Sequence, residues 1–213
     1  MAYATITTGR SLERLYSAGW GVFITPEALA KNRPAFAWSQ GRDPAMAYAL
    51  DNGAWGAFVK GVEWNPSGFE AMLGAIGGDA VFAAIPDIVE GGMESLSRSI
   101  EWTPRVLDHT RVGLIPVQDG MQPHDIAPLL SARVGIFVGG STEFKEDTLG
   151  MWAALAKRHG AYCHVGRVNT VRRTFKCTNA GVDSIDGTSV TRFSSTLPML
   201  DSARRQLSLL EDL

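Results

Sequence analysis

Short apolar runs recur along this chain, and most are continuous rather than alternating. They cover Trp20–Thr25, Ala47–Asp51, Ala80–Pro86, Val112–Gln118, Val134–Gly139, Tyr162–Val168 and Val182–Asp186. An unbroken apolar run bounded by turn residues predicts a strand buried on both faces, as in a parallel sheet. Between the runs, apolar residues fall three and four apart, the spacing of one helix face. Phe69, Met72, Leu73 and Ile76 predict a helix over Ser67–Ile76, with a serine cap at its start. Further helices are expected over Gly92–Leu107, Pro123–Ser131, Glu143–His159, Asn169–Asn179 and Leu200–Leu210. Strands alternating with helices predict an α/β fold. A doubly wound sheet and a (β/α)8 barrel both accommodate the pattern. Seven strands plus an eighth, at Phe36–Ser39 or near the N-terminus, favour a compact (β/α)8 TIM-like barrel with one short or irregular unit. No linker, charge block or low-complexity run divides residues 1–213, so a single catalytic domain is expected.

Composition narrows the partners. A net charge of −2 gives no global case for nucleic-acid binding. Its distribution is uneven: from Lys157 to Arg192 there are seven basic residues (Lys157, Arg158, Arg167, Arg172, Arg173, Lys176, Arg192) against two acidic ones (Asp183, Asp186). That surplus could face a polyanion or simply coat solvated helices. Met1-Ala-Tyr-Ala-Thr offers no basic region followed by an apolar one, so no signal peptide is expected there. The longest apolar run, about Ala80 to Pro86, is too short to span a bilayer, so no membrane partner is expected. Two cysteines make no disulfide framework, and a reduced cytoplasmic setting follows as the expectation.

In both α/β architectures the chemistry sits at the C-terminal ends of the strands. Read there, the runs deliver Asp51, Asp87, Gln118 with Asp119, Gly139 with Gly140, Arg167 with Asn169, and Asp183 with Asp186. One aspartate after a strand is usually a turn former or helix cap. Several at one mouth must be paired, hydrogen-bonded or used. Carboxylates, an amide and exposed glycine backbone suit a planar polar heterocycle: a carboxylate accepts two N–H donors from an amidine-like edge such as that of guanine. One carboxylate can attack a sugar carbon while a second serves as acid and base. His159, Cys163, His164 and Cys177 fit no standard zinc spacing and are expected to be structural, so no metal is assigned. Neither a P-loop, a GxGxxG fingerprint nor a GxSxG elbow around Ser141 is present.

From about Asp51 to Arg192 the ordered motifs resemble the tRNA-guanine transglycosylases, and most of all their phage-type relatives, the 7-deazaguanine DNA transglycosylases. Asp51-Asn-Gly-Ala-Trp resembles the family's Asp-Ser-Gly-Gly-Phe motif, whose Asp is the general acid/base. Asp87 matches the strand-end Asp that holds the guanine edge. Gln118-Asp-Gly120 is similar to a base-contacting Gln-Gly-Gly, and Gly139-Gly140 to a glycine pair that follows it. His164-Val-Gly-Arg-Val168 resembles a Met-Gly-Val-Gly strand. Gly181-Val-Asp-Ser-Ile-Asp186 follows the pattern whose second Asp is the nucleophile.

The resemblance therefore implies a pentosyltransferase with Asp186 as nucleophile and Asp51 as acid/base. Asp87, Gln118, Gly139 and Gly140 would read the base. Arg167, Arg172, Arg173 and Arg192 become candidates for the nucleic-acid backbone, and Trp55, Trp38 and Phe144 for base stacking. No cofactor is implied. The tRNA enzymes carry a Cys-x-Cys-x-x-Cys plus His zinc site after the nucleophile. Here both cysteines precede Asp186, so no zinc subdomain is expected and DNA is implied before tRNA. The implied reaction exchanges guanine for a 7-deazaguanine such as preQ0. A second copy of the chain or an accessory DNA-binding protein would be a further partner. Three other readings stand beside this one: a tRNA enzyme, a non-catalytic base-binding subunit, and an unrelated lyase using Gly139-Gly140-Ser141 as a phosphate cradle.

Overall fold

The computed structural model describes residues 1–193 and 195–206. Eight strands form it: β1 (Ala2–Thr5), β2 (Gly21–Ile24), β3 (Tyr48–Leu50), β4 (Ala83–Ala84), β5 (Gly113–Val117), β6 (Val134–Val138), β7 (Cys163–Val165) and β8 (Ser184–Asp186). Each pairs in parallel with the next, and β8 returns to β1 with Ala2 opposite Ile185 and Tyr3 opposite Asp186. The sheet is thus closed, and the fold is a (β/α)8 barrel, as the strand count predicts.

Helices fill the outer layer: α1 (Gly9–Ser17), α2 (Pro26–Lys31), α3 (Arg33–Gln40), α4 (Ala54–Lys60), α5 (Pro66–Ile76), α6 (Gly92–His109), α7 (Pro123–Ile126), α8 (Thr142–Arg158), α9 (Val171–Asn179), α10 (Ser189–Arg192) and α11 (Thr196–Gln206). No described helix is long and apolar enough to cross a membrane.

Several expectations shift. The eighth strand is the N-terminal Ala2–Thr5; Phe36–Ser39 lies in α3 instead. Pro34 sits in the first turn of α3, where a missing N–H costs nothing, and Ala35 and Ser39, four apart, are the buried face. The cap of α5 is Asn65 rather than a serine, its side chain accepting from the Gly68 N–H, with Pro66 opening the helix. The expected helix Pro123–Ser131 is cut short: α7 ends at Ile126 and a 3-10 turn, Ala127–Leu129, follows, because Pro128 has no N–H to continue it. Part of the expected Leu200–Leu210 helix, residues 207–210, lies outside the described residues. The short, irregular unit is β4, with two ladder residues where the apolar run Ala80–Pro86 had predicted seven.

Side chains alternate across each strand, so each contributes to two cores. Val22 and Ile24 of β2 pack outward beneath the helices, while Phe23 points into the barrel. Tyr3, Phe23, Ala49, Phe82 and Leu114 fill that interior, with Phe137 and Tyr162 packed against them. In β8 the same alternation turns Ile185 to the helices and places Ser184 and Asp186 on the other face, with His164 of β7 directly opposite Ser184. The barrel is therefore floored by aromatic rings and one polar cluster, below the C-terminal mouth.

Candidate active site

A cavity of about 430 Å³ opens at that mouth, large enough for a bicyclic base. Asp51, Asp87, Gln118, Asp119, Gly139, Gly140, Arg167 and Asp186 line it, with Phe23, Phe137 and Trp55 as its apolar walls. The strand ends thus bring seven of the ten sequence-derived candidates together. Arg172, Arg173 and Arg192 are elsewhere.

Asp51 leaves the end of β3 in a tight Asx turn. Its Oδ1 accepts from the Gly53 N–H at 2.9 Å, and Gly53 takes the left-handed φ of 80° that glycine adopts without strain. Burial pushes the Asp51 carboxyl up to about 7, against the Gly53 hydrogen bond, and the charges of Asp186 and Asp87 add to the rise. Asp51 is consequently a carboxyl that carries a proton part of the time at neutral pH.

Asp87, after β4, is tied to the same turn. Asn52, buried, donates from Nδ2 to Asp87 Oδ1 and to the Ile85 carbonyl, both at 2.9 Å, while its Oδ1 accepts from the Ala54 N–H at 2.8 Å. Burial raises the Asp87 carboxyl to about 6; the Asn52 donor and Arg98 work against that rise. Asn52 is a site residue that the motif concealed, because it appeared only as the neighbour of Asp51.

Asp186 has a different environment. His164 Nε2 lies 3.0 Å from its Oδ2, and the Arg167 backbone N–H donates to its Oδ1 at 3.2 Å. His164 Nδ1 in turn meets Ser184 Oγ at 2.7 Å. Both oxygens of Asp186 therefore have a partner, although the residue is only 8% exposed. Expected as a structural residue, His164 proves to touch the carboxylate directly. A polar residue in the middle of an apolar strand was the available signal. Asp183, three residues earlier, is at the opposite end of β8, where it accepts from the Cys163 N–H and takes no part in the cavity.

The loop after β7 is braced from both sides. Arg167 takes a left-handed φ of 60°, a strained conformation for a residue with a side chain. That turn aims its N–H at Asp186. Lys145 of α8, buried, donates from Nζ to the Gly166 carbonyl at 3.0 Å, and burial pushes its ammonium down to about 8, with Arg167 adding to the fall. Gly166 leaves room for the Phe137 ring, which a Cβ would meet at 2.7 Å. The Arg167 guanidinium donates to the Gly140 carbonyl and lies 4.3 Å over the Trp55 ring. It forms a rim of the cavity rather than a free surface cation.

Gln118 lines the cavity but with its donors spent. Its Nε2 donates to the Ile88 carbonyl at 3.0 Å and to Ser95 Oγ at 2.6 Å. Only its carbonyl oxygen is left for a ligand. At Gly140, φ is +70° and a Cβ would meet an Asp119 carboxylate oxygen at 2.6 Å. Asp119 holds the cap of α8 in place: the N-cap Ser141 donates to it from both its N–H and its hydroxyl at 2.7 Å. Burial works to raise its carboxyl, but the bonds from Ser141 outweigh this and hold it below the usual range.

Of the basic stretch, Arg172, Arg173 and Lys176 converge on Glu146 of α8 at 3.8, 3.1 and 3.1 Å. Arg192 is exposed on α10. Cys163 and Cys177 are free and buried, and burial pushes both thiols up to about 12. No group of three His, Cys, Asp or Glu side chains able to hold a metal ion occurs among the described residues. Trp38 and Phe144 lie outside the cavity lining, against the main core.

No protein-family model and no curated protein sequence matches the chain. Similar solved structures include two of tryptophan synthase from M. tuberculosis, one an open form with BRD0059 bound and one an aminoacrylate-bound form. Each shares 14% identity, covers 95% of this chain and 89% of its own, and superposes with a TM-score of 0.54. At that identity the likeness shows the barrel fold alone.

Proposed function

We propose that the protein is a base-exchange transglycosylase that replaces guanine in DNA with a 7-deazaguanine such as preQ0. The observation that carries this reading is the contrast in one cavity between Asp186 on one side and Asp51 with Asp87 on the other. Asp186 has a hydrogen-bond partner on each oxygen, whereas Asp51 is raised to about 7 by burial and by its acidic neighbours. Two carboxyl groups held in contrasting environments are the usual basis for a nucleophile and an acid/base at a sugar carbon.

In the first half-reaction an Asp186 oxygen attacks C1′ of a nucleotide turned out of the stack. The C1′–N9 bond breaks, its electron pair leaves with guanine, and protonated Asp51 supplies the proton that guanine takes up. The sugar is then esterified to Asp186. In the second half, ionised Asp51 removes the N9 proton of the incoming 7-deazaguanine. That nitrogen attacks C1′, and the Asp186–C1′ bond breaks to return the carboxylate. One base has replaced another, and both aspartates are restored. Asp87, when ionised, accepts the N1–H and 2-amino N–H of either base. Gln118 receives a donor through its free carbonyl oxygen.

DNA is preferred to tRNA on the resemblance to the phage-type enzymes; Cys163 and Cys177 are both buried and free. A phosphate-cradling lyase is disfavoured by a specific contact: the Asp119 carboxylate already takes the N–H and hydroxyl of Ser141, two donors such a cradle would offer. A purely binding subunit would not need both Asp51 and Asp186 in one cavity. Incubation of the protein with DNA or tRNA and candidate bases, followed by nucleoside mass spectrometry, tests the proposal. Modified deoxyguanosine in DNA alone is expected. Modification of tRNA alone, or of neither, would overturn it.

A further inference from the structure

His164 is a buried titratable group to which base exchange assigns no step. We infer that His164 is a positioning residue for Asp186: its Nε2–H pins one carboxylate oxygen, and Ser184 selects the tautomer that makes this donation. What Asp186 attacks rests on the proposed base exchange; the hydrogen-bond chain does not.

The chain follows from strand register. His164 and Ser184 are direct partners on β7 and β8, and Asp186 is the next residue on the same face of β8. The contacts run Ser184 Oγ to His164 Nδ1 at 2.7 Å, then His164 Nε2 to Asp186 Oδ2 at 3.0 Å. A carboxylate oxygen accepts, so in the inferred chain Nε2–H is the donor to Asp186, and Nδ1 accepts from the Ser184 hydroxyl. The imidazole cannot swing away. The rings of Phe137, Phe82 and Phe23 lie 4.7, 4.9 and 5.7 Å from its centre. His164 is 0% exposed and both its nitrogens are engaged, so it reaches no substrate and acts only through Asp186.

With the Arg167 N–H on the other oxygen, the carboxylate plane is fixed against rotation and its remaining lone pairs are left for the cavity that Asp186 lines. A polar pair inside an aromatic barrel costs desolvation that an apolar replacement would avoid. Placement directly beneath the candidate nucleophile gives that cost a purpose.

The test compares His164→Phe, His164→Gln and Ser184→Ala with the unaltered protein. Three quantities are read: thermal stability, equilibrium affinity for guanine, and the rate at which a covalent adduct forms with a deoxyguanosine oligonucleotide. His164→Phe is expected to keep its guanine affinity while adduct formation slows about 100-fold. His164→Gln, whose amide can donate, should recover most of that loss, and Ser184→Ala should fall between. Adduct formation at the unaltered rate in His164→Phe, or affinity and rate falling together, would overturn the inference.

Long-range proton–nitrogen NMR of the unaltered protein reads the tautomer directly and needs no variant that might fail to fold. A proton on Nε2 and a bare Nδ1 are expected, with that preference lost in Ser184→Ala; a protonated Nδ1 in the unaltered protein would overturn the assignment. If the unaltered protein forms no adduct with any oligonucleotide, base exchange is what fails, and the tautomer still decides the hydrogen-bond chain.

Discussion

The two walls of the cavity treat their carboxylates in opposite ways. On the β7–β8 wall, Asp186 meets a hydrogen-bond partner on each oxygen, held by a buried histidine and a braced loop. On the β3–β4 wall, Asp51 and Asp87 are half-buried near one another, and desolvation raises both, to about 7 and about 6. One wall gives each oxygen of its carboxylate a partner, and the other leaves its carboxyls raised. The same side chain can therefore serve as nucleophile on one wall and as acid, base or base-reader on the other, because solvation and hydrogen bonding differ.

The contrast between the walls is abolished most completely by Asp186→Asn. It keeps the shape of the site and removes the attacking oxygen's charge, so exchange should fall by about 10⁴-fold or more, read as modified deoxynucleoside per hour. Next, Asp51→Asn should slow the loss of guanine by about 10²- to 10⁴-fold. It should also remove the alkaline limb of the pH–rate profile, the sign of which is fixed by the chemistry. Guanine departure needs protonated Asp51 and is lost as pH rises through about 7, while base reading needs ionised Asp87 and is lost as pH falls through about 6. The profile of the unaltered protein should therefore be bell-shaped and narrow, centred between these values.

A smaller change, Asn52→Ala, removes the donor that opposes the rise of Asp87. The acid limb should move to higher pH and the KM for the incoming base should rise about 10-fold, since one hydrogen bond to a charged group is worth about 1.5–3 kcal/mol. The smallest effect belongs to Lys145→Met on the opposite wall. It releases the Gly166 carbonyl, so the Arg167 N–H should hold Asp186 less firmly. Adduct formation should slow by about 3-fold with guanine affinity unchanged, which steady-state kinetics would separate as kcat against KM.

The barrel and the positions of its mouth residues were legible because they depend on local pattern. Continuous apolar runs mark parallel strands, and whatever follows each run faces the mouth. The partners of those residues were not legible, since they depend on register between strands. His164 and Ser184 meet only because β7 and β8 align them, and Asn52 reaches Asp87 only once β3 and β4 stand side by side. The charge of the basic stretch was only partly legible for a related reason. A charge count over Lys157 to Arg192 stops short of Glu146, yet the packing of α8 against α9 brings that carboxylate to Arg172, Arg173 and Lys176. Phe36–Ser39 reads as a strand fragment by apolarity alone; Pro34 at a helix start decides otherwise.

Everything proposed for the cavity depends on a covalent bond between Asp186 and the sugar, and that bond can be sought directly. The protein is incubated with a deoxyguanosine oligonucleotide in the absence of incoming base, quenched in denaturant, digested and mapped by peptide mass spectrometry. A sugar-linked adduct is expected on the peptide that contains Asp186, absent in Asp186→Asn. Base exchange proceeding at full rate in Asp186→Asn, or an adduct located on a different residue, would refute Asp186 as the nucleophile.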